Sequence, residues 1–178
     1  TALDSTDSVT DAFTMTVSDG DASDTMTVTI TVTGANDAPD AGSNAVGAVT
    51  EDATATTATG TISATDADDS AFTYTGDATG TYGAIAVASD GAWTYTLNNA
   101  DADTTALDST DSVTDAFTMT VTDSDSSETD TMTVTITVTG ANDAPDAGSN
   151  AVGAVTEDAT ATTATGTISA TDADDSAF

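Results

Sequence analysis

Cysteine, lysine, arginine and histidine are all absent from the 178 residues. Without cysteine there is no disulfide, no zinc–thiolate site and no thiol nucleophile. Without histidine or lysine as well, the usual proton shuttles and activated nucleophiles are missing, and any catalysis would fall to carboxylates alone. Two carboxylates are enough to hydrolyse a glycoside, but no pocket signature accompanies them, so the chain reads as a non-enzyme. No apolar run approaches the roughly 20 residues of a membrane helix. Membrane insertion is not expected, and nothing resembles a signal peptide, so an export signal is expected outside this stretch. Aromatic residues make up only 4% of the chain, with a single tryptophan.

The missing cations matter most because the anions are abundant. Asp and Glu number 31 and the formal net charge is −31. Only Glu51, Glu128 and Glu157 are glutamates; the remaining acids are aspartates. No carboxylate has a side-chain cation to pair with, so self-repulsion opposes the compact state. It must be screened by salt, with a Debye length of roughly 8 Å at physiological ionic strength, or neutralised by bound divalent cations. Nucleic acid and anionic membrane surfaces are excluded as partners.

What is present is repetition. Residues 1–17 read the same as 105–121, and 24–72 the same as 130–178. The two offsets differ because the turn Ser18–Ser23 is shorter than Thr122–Thr129. A period of about 105 residues marks a tandem module, long enough for its own core. The chain divides into the tail of a first repeat (1–39), a complete repeat (40–145) and the opening of a third (146–178). The junctions read T-G-A-N-D-A-P-D-A-G-S-N from Thr33 and again from Thr139, where Gly, Asp and Pro end the last strand.

Within the repeat the pattern is that of strands. Met26, Val28, Ile30 and Val32 alternate without error with Thr25, Thr27, Thr29, Thr31 and Thr33. Period two with β-branched residues describes a strand with one buried and one wet face. The same alternation predicts about seven strands in the complete repeat, near 45–50, 60–65, 71–75, 82–88, 92–97, 113–122 and 130–139. Asp90-Gly91 predicts a hairpin, and Asp19-Gly20-Asp21 another. The predicted fold is all-β, an antiparallel sandwich of two sheets with Trp93 between them; a closed barrel is the weaker alternative. Trp93, Tyr95, Tyr74 and Tyr82 alternate as core residues do, and so are read as core rather than as a sugar-stacking platform.

Thr occupies the wet strand faces, and the acids gather at turns and strand ends. Asp4, Asp7 and Asp11 form one group, Asp19, Asp21 and Asp24 another, and Asp66, Asp68 and Asp69 a third. Closely spaced short carboxylates suit a hard cation: Ca²⁺ takes six to eight oxygens, backbone carbonyls included. The rival explanation is that Asp merely populates loops and keeps the chain soluble in salt.

The run from Gly80 to Leu97 (G-T-Y-G-A-I-A-V-A-S-D-G-A-W-T-Y-T-L), then D-A-F-T-M-T-V-T-D and T-V-T-I-T-V-T-G-A-N-D-A-P, resembles a VCBS-type repeat along the whole complete copy. Such repeats occur in tandem in very large RTX-type bacterial adhesins. The resemblance implies an Ig-like or cadherin-like module, type I secretion to the cell surface, and a part in adhesion or biofilm formation. A more distant likeness to cadherin repeats implies Ca²⁺ between modules. On that likeness the ligands are Asn36 and Asp37 of the linker, or Asn142 and Asp143 of the next, with Asp66 and Asp68, or Asp172 and Asp174, as the Asp-x-Asp pair. Asp19 and Asp123 end the long strand, Glu51 and Glu157 supply the first-strand acid, and Asp108 or Asp111 stands near the Leu-Asp-Arg-Glu position. The sequence departs where Gly34 replaces a linker Asp, one linker Asn is missing, and Thr110 replaces a Glu. One or two ions per junction are therefore expected rather than three.

The function expected is that of an extender stiffened by Ca²⁺ at its junctions, with neighbouring repeats of the same chain as the partners. The alternatives are a repeat that itself binds glycans or other copies in a filament, and acidity that serves only as an adaptation to high salt.

Overall fold

The computed structural model describes residues 2–125, 128–158, 160 and 162–176. Among the described residues it is all-β, with ten strands and no helix. None of the described segments is therefore a helix long and apolar enough to cross a membrane.

Strands β1 (Ser8–Ser18) and β2 (Ser23–Thr33) form an antiparallel hairpin in the first repeat. The complete repeat holds the other eight: β3 (Ala45–Thr50), β4 (Thr57–Thr61), β5 (Phe72–Thr75), β6 (Ala78–Thr79), β7 (Gly83–Val87), β8 (Ala92–Leu97), β9 (Ser112–Asp123) and β10 (Thr129–Thr139). They build two four-stranded sheets, in the orders β3-β10-β9-β5 and β4-β8-β7-β6. All pairings are antiparallel except β3 on β10, which run parallel.

The alternation in sequence becomes the core directly. Met132, Val134, Ile136 and Val138 of β10 are buried, as are Phe117, Met119 and Val121 of β9. Trp93, Tyr95 and Leu97 face them from β8, and the Tyr95 and Phe117 rings meet at a centroid distance of 5.9 Å, tilted by 51°. Trp93 lies between the sheets as expected. A Cβ placed on Gly60 would come within 2.6 Å of its ring, and one on Gly47 within 2.9 Å. Small residues there admit the largest side chain of the core.

Two expectations need correction. Ile62 and Ala64 read as a strand, but β4 ends at Thr61. The chain there leaves its sheet, Ile62 N–H bonding to the Gly91 carbonyl and Thr65 forming a lone bridge with Asp40. The two-residue strand β6 was not foreseen, because Ala78 and Thr79 are too few to show a period. The Asp90-Gly91 hairpin is present, with Gly91 at φ +86°, a conformation that favours glycine.

The linker is tied to the module that follows it. Ala41 N–H donates to Asp130 at 3.0 Å, Asp40 and Thr65 exchange backbone bonds of 2.8 and 3.0 Å, and Thr133 N–H donates to Asn44 at 2.9 Å. The opening of the third repeat repeats the bridge, Asp146 with Thr171.

Candidate metal centre at the repeat junctions

Parallel pairing of β3 with β10 decides where Glu51 goes. Thr50, the last residue of β3, pairs with Thr139, so the residue that follows must emerge beside the start of the linker. Glu51 N–H bonds to the Thr139 carbonyl at 2.9 Å, and Ala141 N–H donates to Glu51 Oε2 at 3.1 Å. The side chain is 2% exposed, and Oε1 has no hydrogen-bond donor. Burial pushes its carboxyl above the ordinary range, and the charges of Asp143, Asp52 and Asp174 push it further. Asp52, at φ +53°, makes the sharp turn that follows; Asp tolerates that conformation better than most residues.

The other side of this second junction comes from the loop before β9 and from the third repeat. Asp108 accepts from both Thr110 N–H and Thr110 Oγ1 at 2.6 Å, which holds its carboxyl below the usual range. Asp111 Oδ2 accepts from Asp108 N–H at 3.2 Å, and the Asp111 carbonyl takes Gly140 N–H at 3.1 Å. Asp143 N–H donates to Asp174 Oδ2 at 3.1 Å, while Asp174 Oδ1 is buried with no donor. Asn142, Asp108 and Asp174 line one cleft with Ser109, Thr110 and Asp175.

The first junction repeats the arrangement. Thr6 N–H and Oγ1 hold Asp4 at 2.5 and 2.6 Å, the Asp7 carbonyl takes Gly34 N–H at 3.0 Å, and Asp37 N–H reaches the Asp68 carboxylate at 3.3 Å. Asp123 comes here too: it is 2% exposed at the end of β9, accepts from Asp125 N–H at 3.1 Å, and its charge acts on Asp4. Each Asp-x-Asp pair is joined by a backbone contact, Asp68 N–H to Asp66 Oδ1 at 3.0 Å and Asp174 N–H to Asp172 Oδ1 at 3.4 Å, so the two carboxyls of a pair influence each other's titration. The backbone N–H of Asp68 holds Asp66 down, whereas Asp68 is raised by its contact with Asp66. In the third repeat the roles exchange, Asp172 being raised by Asp174 and Asp174 lowered by Asp172.

The expected residues therefore sort by junction. Asn36, Asp37, Asp66, Asp68 and Asp123 gather at the first; Glu51, Asp108, Asp111, Asn142, Asp143, Asp172 and Asp174 gather at the second. Asp19 stands apart at the tip of the β1–β2 hairpin, exposed, accepting from Asp21 N–H at 3.0 Å and Ala22 N–H at 2.8 Å. Glu157 is exposed. Among the described residues no three acidic side chains form a ready-made cage; carboxylates without a counter-charge hold one another off. The donor set nonetheless suits a hard cation: it is all oxygen, and it includes two buried carboxylate oxygens at the second junction that no proton donor reaches.

Three residues outside the expected set matter as well. Asp4 and Asp7 are the first-repeat equivalents of Asp108 and Asp111 and were legible from the repeat alone. Asp115 was not. It lies buried in β9 and accepts from Thr81, Tyr82 and Gly83 N–H and from Tyr95 O–H, at 2.8 to 3.2 Å. It is a structural anchor, four donors satisfying it fully.

The profile of the bacterial cadherin-like domain matches residues 36–140. That is more than half of the chain, and the chain belongs to this family. Such domains are extracellular modules of adhesion rather than catalysts, and as a class they bind Ca²⁺. Among solved structures, PcdhgB3 EC1-4 superimposes with a TM-score of 0.54 at 20% identity, over 95% of this chain and 41% of that one. The protocadherin gamma B7 extracellular cadherin domains 1-4 give 0.51 at 17% identity, over 94% and 41%. At these identities the likeness is one of fold, and the chain spans about two fifths of either structure. No curated protein matches the sequence.

Proposed function

We propose that this chain is a stretch of an extender in a bacterial surface adhesin, divided into repeats at 1–39, 40–145 and 146–178, in which Ca²⁺ at each junction couples neighbouring modules. The observation that carries this reading is Glu51. A carboxylate 2% exposed, with one backbone donor, one unpartnered oxygen and three further acids acting on it, is costly unless a cation joins it. Asp108, Asn142, Asp143 and Asp174 would complete the second site; Asp4, Asn36, Asp37, Asp66, Asp68 and Asp123 would form the first. The bound ion neutralises the junction and links two modules that otherwise repel. The VCBS-like run and the acidic composition support secretion to the cell surface and a part in adhesion or biofilm.

Calorimetric titration with Ca²⁺ tests the reading. The chain should bind with dissociation constants on the order of 10⁻⁴ to 10⁻³ M, the range of extracellular modules, and E51Q should lose the second-junction site while keeping the first. A chain that takes up no Ca²⁺ in the millimolar range would show the reading to be wrong.

A further inference from the structure

The two copies of the long hairpin are identical in their strands up to the turn, and the turn is where they part. Between β1 and β2 it is Ser18–Ser23, with no glutamate; between β9 and β10 it is Thr122–Thr129, two residues longer, with Glu128 near its end. Glu128 does not point idly into solvent. Asn36 Nδ2, 92 positions earlier in the chain, donates to Glu128 Oε2 at 2.9 Å. The same Nδ2 also donates to the Asp37 carbonyl. Both contacts hold the nitrogen end of the amide, and the oxygen end, Oδ1, is buried. An amide gripped at its nitrogen can offer only its carbonyl oxygen on the other side, and a carbonyl oxygen is what a hard cation accepts.

We propose that Glu128 is a positioning residue: it orients the linker amide of Asn36 so that Oδ1 serves as a cation ligand at the first junction. The longer turn carries this glutamate and the shorter one does not. A junction followed by a module with the short turn lacks this support, so junctions along one array differ in affinity although their linker sequences are the same. The inference rests on the calcium reading above. Partners that orient a metal ligand are typically worth 10- to 100-fold in affinity.

The test is a Ca²⁺ titration of the full chain in an E51Q background, which silences the second junction and leaves the first to be read alone. E128A, and a variant with Thr122–Thr129 replaced by the Ser18–Ser23 sequence, should each weaken the remaining site by about tenfold or more. E128Q keeps an oxygen acceptor for the Asn36 amide and should restore most of the affinity. Melting in chelator should be the same for all of them. Unchanged affinity in E128A overturns the inference while leaving Ca²⁺ binding at the junction intact. E128Q as weak as E128A overturns it in favour of direct ligation by the Glu128 charge. An equal loss of stability in chelator overturns it in favour of a purely structural clasp. Absence of Ca²⁺ binding in the parent chain overturns both this inference and the reading beneath it.

Discussion

Asp115 and Glu51 are both carboxylates buried in the same module, and their surroundings differ. Asp115 takes four hydrogen bonds and pins the segment 81–83 to β9. D115A would leave three backbone N–H groups and the Tyr95 hydroxyl without acceptors. At about 1–3 kcal/mol for a buried unmet donor, the loss should be about 3 kcal/mol or more, read from the midpoint of urea unfolding. Y95F removes one donor only and should cost about 1–2 kcal/mol. Glu51 behaves in the opposite sense. Its folded carboxyl titrates above its unfolded one, so between those two values the folded state binds more protons. Stability therefore falls as pH rises through that window, and is gained as pH falls toward the ordinary glutamate value of about 4.3. In chelator the melting temperature should rise as pH is lowered from neutrality toward that ordinary glutamate value. Below about 3.9 it should fall again as Asp4, Asp108 and Asp130, held down by their hydrogen bonds, take up protons. E51Q should raise the melting temperature in chelator at neutral pH and abolish the part of the calcium response due to the second junction. A lower melting temperature in E51Q without calcium would contradict this account of Glu51.

At the scale of the strand, one sequence occupies two environments. Phe13, Met15, Val17 and Met26 of the first hairpin are 52%, 54%, 71% and 65% exposed, while their equivalents Phe117, Met119, Val121 and Met132 are buried. The alternation is the same, and it becomes a core only where the sheet β4-β8-β7-β6 lies against it, as it does in the complete repeat. F117A should therefore destabilise by about 3–5 kcal/mol. Denaturant unfolding of the variant beside the parent chain measures it. Strand identity was readable because a half-buried strand must alternate. The exceptions fail for physical reasons: Ile62 is buried while its chain crosses between sheets, and β6 is too short to alternate.

At the scale of the whole molecule, charge of a single sign dominates. With −31 and no side-chain cation, folding works against self-repulsion that salt relieves and that Ca²⁺, on the proposed reading, would relieve in a different way. Sodium chloride screens every pair weakly over a Debye length; a divalent ion bound between two modules acts on the acids that meet there. At a hundredfold excess over its dissociation constant each proposed ion would add about 2.7 kcal/mol, a large part of a small domain's stability. Millimolar CaCl₂ should raise the melting temperature well above that reached at equal ionic strength in NaCl, and small-angle scattering should show a longer, stiffer particle with calcium than with chelator. If NaCl matches CaCl₂ in both measurements, the acidity is an adaptation to salt and the junctions are not metal-linked.

The repeat, the all-β class, the faces of the long strands and the site of Trp93 were fixed by local rules, because period two and turn chemistry operate within a few residues. The sequence alone also placed acids at strand ends. Which of those acids meet was settled by pairing between distant strands. Parallel β3 on β10 delivers Glu51 to Ala141, 90 positions away, and the Asn36 amide meets Glu128, 92 positions on. Sorting the acids into two junctions, leaving Asp19 outside both and making Asp115 an anchor depended on contacts that no local pattern encodes. Such contacts form only when separate strands bury a shared core.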